Sequence, residues 1–141
     1  MTSRHFSLRI DESLSARLDS QAREIKQTSS ELARELIDEG LRMRRHHGIL
    51  FRDGPTGRRA GLADGPDVWE VMDFYFKGEG SHEERIAWME ELTSVNRYQI
   101  ARAIQYYDDF RDEIDERIAL NAKASAEGYA RFLAEQEIAS R

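Results

Sequence analysis

Six residues near the start of the chain, from His5 to Ile10, alternate strictly between polar and apolar side chains. The apolar side chains are Phe6, Leu8 and Ile10, and the polar ones are His5, Ser7 and Arg9. A period of two residues predicts a β-strand with one buried and one exposed face. A lone strand of this kind has an unpaired edge, so it needs a partner strand as well as a layer that covers its apolar face.

Two amphipathic helices are predicted directly after the strand. Asp11 is a typical N-cap for a helix over residues 12–26, whose apolar side chains recur at helical spacing at Leu14, Leu18, Ala22 and Ile25. Thr28 and Glu31 have the spacing of a capping box, which starts a second helix. One strand and two helices have too little core to fold alone. Two antiparallel copies of the strand would bury a dimer core under four helices, formed by Phe6, Leu8 and Ile10.

This stretch, roughly residues 4–45, resembles the ribbon-helix-helix family of Arc-like and CopG-like repressors. The resemblance is carried by the alternating strand, the Asp11-Glu12 helix entry and the Thr28-Ser29-Ser30-Glu31-Leu32 start of the second helix. A two-stranded ribbon fits the major groove of B-DNA, and the predicted base contacts are His5, Ser7 and Arg9. A helix N-terminus binds phosphate through its backbone N–H groups, and the predicted phosphate contacts are Arg4, Thr28, Ser29 and Ser30.

The net charge of −6 argues at first against binding to nucleic acid. The charge is unevenly distributed, however, because residues 1–47 carry nine Lys and Arg against eight Asp and Glu, whereas residues 48–141 carry twelve against nineteen. The N-terminal segment therefore stays compatible with DNA, and the acidic excess behind it suggests another partner. The simpler alternative is that the strand is only a dimerisation ribbon with a polar outer face.

Residues 48–107 resemble a winged-helix-like domain of unknown function found in some bacterial antitoxins. The similar segments are Gly48 to Arg52, Pro66 to Val71 and Ala103 to Tyr107. Turn residues from Asp53 to Gly57 predict a β-hairpin between short strands. Three helices follow: one with Pro66 in its first turn, one with a capping box of Ser81 and Glu84, and one with a stripe of Tyr98, Ala101, Ile104 and Tyr107.

The hairpin arginines have two interpretations that the sequence leaves open. Arg52, Arg58 and Arg59 are either a basic wing that contacts DNA or part of an ordinary solvated hairpin.

An acidic amphipathic helical tail is predicted over residues 108–141, because no glycine or proline interrupts the pattern until Gly128. In antitoxins of the kind that the chain resembles, the C-terminal segment binds and blocks a toxin, often a PIN-type ribonuclease. An apolar helix face suits a partner groove, and arginines suit the carboxylates of a nuclease site. The predicted toxin-binding residues are Phe110, Ile114, Arg117, Ile118, Tyr129, Arg131, Phe132 and Leu133. The alternative is that this helix packs on the protein's own dimer partner.

The expected fold is therefore mainly α with short β: a ribbon-helix-helix module over residues 1–47, a winged-helix-like domain over 48–107, and the tail. The chain has no cysteine, no apolar run of about 20 residues and no signal-peptide pattern, which favours a cytoplasmic protein with no membrane contact. No cofactor, metal or enzyme motif is predicted; the two histidines at 46 and 47 are adjacent and would point apart.

The function that these features predict is that of an antitoxin in a type II toxin-antitoxin system. Such a homodimer, with or without further assembly, represses its own operator and neutralises a partner ribonuclease. The first alternative is a stand-alone ribbon-helix-helix transcriptional repressor, and the second is a helical adaptor that does not bind DNA.

Overall fold

The computed structural model describes residues 2–141, which form six helices and one two-stranded antiparallel sheet. The elements in chain order are α1 Glu12–Glu24, α2 Ser29–Arg45, β1 Ile49–Arg52, β2 Arg59–Leu62, α3 Val68–Lys77, α4 His82–Leu92, α5 Arg97–Asp109 and α6 Arg111–Ala139. The prediction of a mainly helical chain with a short β component is confirmed. The chain divides into two compact units, one ending at Arg42 and one spanning Met43–Arg141.

The first unit contains α1 and most of α2, and side-chain caps define how both helices begin. The carboxylate of Asp11 accepts a hydrogen bond from the backbone N–H of Leu14 (2.8 Å). The hydroxyl of Thr28 accepts one from the N–H of Glu31 (3.1 Å), whose carboxylate in turn accepts one from the N–H of Thr28 (3.3 Å). Both predicted helix starts are therefore confirmed, the second with its full capping box.

Residues 2–11 contain neither helix nor strand in the single chain. A β-strand is defined by hydrogen bonds to a neighbouring strand, and in a ribbon those bonds would come from a second copy. The predicted strand from His5 to Ile10 and the ribbon that it would form stay predictions.

The second unit is built on the β1–β2 hairpin, on which α3 and α5 pack. The predicted hairpin is confirmed, with Ile49 opposite Leu62 and Arg52 opposite Arg59. Helices α4 and α6 pack against α3 and α5 and complete the unit. The core combines residues from the hairpin and all four helices, including Ile49, Leu62, Val68, Met72, Met89, Ile100, Ala103, Tyr106 and Ile114.

Two helix details differ from the predictions. Helix α3 is capped by Asp67 and begins at Val68, so Pro66 lies before the cap rather than in the first turn. The buried face of α5 carries Ile100, Ala103 and Tyr106, whereas Tyr98, which was expected in the stripe, is 72% exposed. The capping box of Asn96 and Gln99 begins the helix at Arg97, and the buried face is set by packing in the core.

Helix α6 begins inside the second unit rather than after it. Phe110 ends α5 by donating its backbone N–H to the carbonyls of Tyr106 and Tyr107, and α6 follows at once. Ile114 is only 4% exposed, and Phe110 and Ile118 pack against the same core. Every residue from 119 to 141 is exposed. The segment 108–141, expected to be a separate tail, thus contributes about its first third to the core, and the remaining two thirds project from it.

Among residues 2–141, the structure contains no helix of the length and apolar character needed to cross a membrane.

Candidate functional sites

An open apolar groove, here called the N-terminal groove, lies within the first unit. Phe6, Leu8 and Ile10 line it and remain 71%, 67% and 40% exposed. Leu36 and Ile37 of α2, each 49% exposed, line the groove from the helical side together with Leu14. Half-exposed side chains of this size on facing walls are typical of an interface and not of a finished core.

The predicted DNA contacts Arg4, His5, Ser7 and Arg9 are exposed in the single chain, and Ser29 is half-buried. Arg4, His5 and Ser7 border the N-terminal groove together with the apolar residues. In the single chain, the segment from His5 to Ile10 therefore does not have its polar side chains on one face and its apolar side chains on the other. That separation requires the pleat of a paired strand.

The start of α2 has hydrogen-bond donors for an anion, with one change from the prediction. The capping box uses the N–H groups of Thr28 and Glu31, while Ser29 and Ser30 occupy the first two positions of the helix. The hydroxyl of Ser29 donates to a carboxylate oxygen of Asp19 (2.6 Å). A phosphate at this helix end would therefore use the backbone N–H groups and the positive end of the helix dipole, and not the Ser29 hydroxyl.

The hairpin arginines bind acidic side chains of their own unit. Asp67, whose side chain is 6% exposed, lies between Arg52 at 3.1 Å and the guanidinium of Arg59. Arg52 also donates to the carbonyl of Gly65 (3.0 Å), and Arg58 pairs with Asp53 (3.2 Å). Arg52 and Arg59 are therefore neither solvated nor directed at DNA. They join both strands of the hairpin to the N-terminus of α3.

The predicted toxin-binding residues fall into two groups. Ile114 lies in the core of the second unit, and Phe110 and Ile118 are half-buried against that core. Arg117 donates to the carbonyl (2.9 Å) and the hydroxyl (2.5 Å) of Thr56 at the hairpin turn. The second group is exposed on the projecting half of α6 and consists of Tyr129, Arg131, Phe132 and Leu133.

A second groove, here called the side groove, lies between the hairpin, α3 and α6, and has a volume of about 510 Å³. Its floor is formed by Ala60 and Ile114, and Trp69 and Leu120 form apolar walls. Arg58 and Arg117 lie at the hairpin side. This site is not predictable from the sequence, because its residues come from three separated segments and no local spacing relates Trp69 to Leu120.

A histidine buried in the second unit was also missed. His46 is 8% exposed, lies edge-on to Tyr106 and Phe110, and has Nε2 2.8 Å from a carboxylate oxygen of Asp109. Arg45 donates to the same oxygen (2.6 Å). Hydrogen bonds from Arg45 and His46 lower the pKa of Asp109 below its usual value, since both favour the ionised carboxylate.

No protein-family model, curated protein or solved structure matches this chain.

Proposed function

We propose that this protein is a DNA-binding antitoxin that dimerises through an N-terminal ribbon-helix-helix module. The observation that carries the proposal is the N-terminal groove, where Phe6, Leu8 and Ile10 face α1 and α2 and stay exposed. A second copy would pair its strand antiparallel with this one, and the four helices would then bury both apolar faces.

In this dimer, His5, Ser7 and Arg9 of both copies form the outer face of the ribbon and enter the major groove of operator DNA. Arg9 binds guanine O6 and N7 through its two guanidinium N–H groups. The N-terminus of α2, at Ser29 and Ser30, holds a phosphate on each side of the ribbon and so sets its position. The acidic second unit adds no DNA contact in this proposal, because the charges of its hairpin arginines are already paired.

DNA recognition is tested with the Arg9→Ala variant. We expect operator binding to weaken by about 1–3 kcal/mol and discrimination against random DNA to fall, because a bidentate base contact is lost. Binding is measured by titration of labelled promoter DNA at fixed salt concentration, since phosphate contacts depend strongly on salt. Arg17→Ala, in an exposed part of α1, is the matched control. An unchanged ratio of operator to random binding in Arg9→Ala would exclude base reading by this residue.

The antitoxin role is supported by the exposed half of α6. Tyr129, Phe132 and Leu133 share one helix face at i, i+3 and i+4, the pattern by which an amphipathic helix lies in a partner's groove. In our proposal this face binds a PIN-type ribonuclease toxin, and Arg131 reaches its acidic residues.

The toxin proposal is tested by expressing the neighbouring gene alone and together with this chain. We expect growth arrest in the first case and rescue in the second, and loss of rescue with Phe132→Glu. A neighbouring gene that is harmless on its own leaves a stand-alone repressor as the function.

A further inference from the structure

The projecting part of α6, residues 119–141, is here called the arm. The helix ends at Ala139, so the helical part of the arm extends about 31 Å at 1.5 Å per residue, and all side chains of the arm are exposed. At about 100° per residue, Phe132 and Tyr129 lie on the same face of α6 as Ile114 and Ile118. The face that forms core in the first turns of α6 therefore continues along the arm, first with Asn121 and Ser125 and then with the aromatic Tyr129 and Phe132, and no other part of the chain covers it.

Gly128 lies in the middle of this helix, where a glycine costs about 1 kcal/mol relative to alanine. An added Cβ at Gly128 would meet no atom within 4 Å, so packing within the chain gives no reason for a glycine. Ala124, one turn earlier, lines the side groove and lies on the same face of α6 as Gly128. Two small residues one turn apart allow a second helix to approach closely at this point.

We propose that the arm lies in the side groove of a second copy of this chain, in a twofold-symmetric antiparallel pair of α6 helices. Ala124 of each copy then faces Gly128 of the other. The surface on the arm is the one that we assign to the toxin, so a toxin would displace the arm of the second copy. The self-pairing itself requires no toxin and no DNA.

Twofold symmetry gives each of two faces of the arm a surface of the partner to contact. A twofold axis perpendicular to two antiparallel helices keeps the two cores on the same side of the pair. The arm face that continues Ile114 and Ile118 therefore points at the partner's hairpin and α3, so Phe132 and Tyr129 reach the wall at Trp69 and the floor at Ala60. The face with Ala124 and Gly128 meets the partner's α6.

The charges agree with the same register. With Ala124 opposite Gly128, Glu135 of one copy comes level with Arg117 of the other. Arg117 donates to the oxygens of Thr56, a neutral residue, and so brings a positive charge to the edge of the side groove. The arm contributes three acidic and three basic residues, so two arms do not repel each other through net charge.

Disulfide trapping tests the geometry directly, because the natural chain has no cysteine. The full-length double variant Ala124→Cys with Gly128→Cys should form a covalent dimer on mild oxidation, since each pair brings two cysteines together. The matched control, Ala122→Cys with Ala130→Cys, is symmetric about the same point but lies on another face of α6. Absence of linking in the first variant, or equal linking in both, overturns the antiparallel pair.

Molecular mass in solution separates this interface from the N-terminal ribbon. If both exist, the wild-type protein is larger than a dimer, Phe132→Glu and Phe6→Glu each reduce it to a dimer, and the double variant is a monomer. Lys123→Glu, on the outer face of the arm, should leave the mass unchanged. An unchanged mass with Phe132→Glu overturns the arm pairing, whereas an unchanged mass with Phe6→Glu counts against the ribbon and leaves the arm proposal intact.

Discussion

The carboxylate of Asp67 joins three elements of the second unit, because it binds Arg52 of β1 and Arg59 of β2 from the N-cap of α3. Glu70 accepts a hydrogen bond from the backbone N–H of the same residue (3.4 Å), which holds the helix start in place. Removal of one member of a buried ion cluster leaves uncompensated charge in a place that water reaches poorly.

Asp67→Asn should therefore lower the free energy of unfolding by about 2–4 kcal/mol. This loss of free energy is at the lower end of the range for broken buried ion pairs, because both arginines are partly exposed to water. Asp53→Asn is the control, since Asp53 is 86% exposed where it pairs with Arg58 and should contribute less than about 1 kcal/mol. Urea unfolding followed by tryptophan fluorescence measures both, and equal effects of the two variants would contradict a special role for Asp67.

A second residue-scale prediction concerns acid. The pKa of Asp109 lies below its usual value in the folded chain, chiefly because Arg45 and His46 donate hydrogen bonds to its carboxylate. A lowered pKa means that the stabilisation is fully present above the ordinary value of about 4 and is lost as pH falls through the folded value. Wild type and Asp109→Asn should therefore differ in free energy of unfolding at pH 5 and converge progressively below about pH 4.

Urea titrations at a series of pH values measure this convergence. Asp112→Asn, an exposed carboxylate in the first turn of α6, serves as the control for removing one negative charge. A difference between wild type and Asp109→Asn that persists unchanged to pH 2.5 would show that the charge on Asp109 is not the source of the stabilisation.

At the scale of single residues, local partners were predictable and distant ones were not. The pairs Asp11 with Leu14 and Thr28 with Glu31 lie three residues apart, so the helix itself brings them together. Asp109 and His46 are separated by more than sixty residues, and nothing in their local sequence relates them. The same is true of Arg117 and Thr56, which are separated by 61 residues.

At the scale of elements, the sequence predicted which segments are helices and strands better than which faces they bury. Turn residues between two apolar runs define the hairpin, and both of its strands are present. Half of the stripe predicted for α5 is confirmed: Ile104 and Tyr107 pack against the core, whereas Tyr98 and Ala101 are exposed. Aromatic residues lie on both sides of that helix, so periodicity alone does not choose between Tyr98 and Ile100. Packing in the core makes the choice: Ile100 and Ala103 are fully buried, and Tyr107 contacts Phe76 of α3 edge-on.

Helix α6 illustrates a second limit at this scale. Its charged first turns, from Asp112 to Arg117, are typical of a solvated helix, and they were interpreted as the start of a free tail. One apolar residue per turn, at Ile114 and Ile118, is nevertheless enough to bury that face against α3. A strongly charged helix with a narrow apolar stripe therefore does not reveal whether the stripe meets its own domain or a partner.

At the scale of the whole molecule, the extent of the second unit's core is set by how far along α6 the residues are buried. Residues up to Ile118 contribute to it, and every residue from 119 onward is exposed. Two sequence segments, 48–107 and the beginning of 108–141, consequently form one folding unit, although their compositions differ. The N-terminal module is the opposite case, because the groove beside Phe6 and Leu8 is left open within its own chain.

Two truncations test this division of the chain. Removal of all residues after Tyr107 deletes Phe110, Ile114 and Ile118 from the core and should destabilise the second unit by about 3 kcal/mol or more, since the loss of one buried isoleucine alone costs about 2–5 kcal/mol. It also removes the carboxylates of Glu113 and Asp115, which accept hydrogen bonds from Tyr106 (3.1 Å) and Tyr107 (2.8 Å). Removal of residues 122–141 deletes only side chains that are exposed in the single chain, so the free energy of unfolding should change by less than about 1 kcal/mol at protein concentrations too low for the arms to pair.

Tryptophan fluorescence reports on the second unit alone, because Trp69 and Trp88 both lie within it. Urea unfolding should be cooperative in the chain that ends at residue 121 and shifted to much lower urea in the chain that ends at residue 107. Equal stability of the two truncated chains would place the first turns of α6 outside the folding unit, as a tail beginning at residue 108 requires. Loss of cooperative unfolding in both truncated chains would mean that the arm stabilises the second unit. Because residues 119–141 are fully exposed in a single chain, the arm could do so only if a second copy covers them.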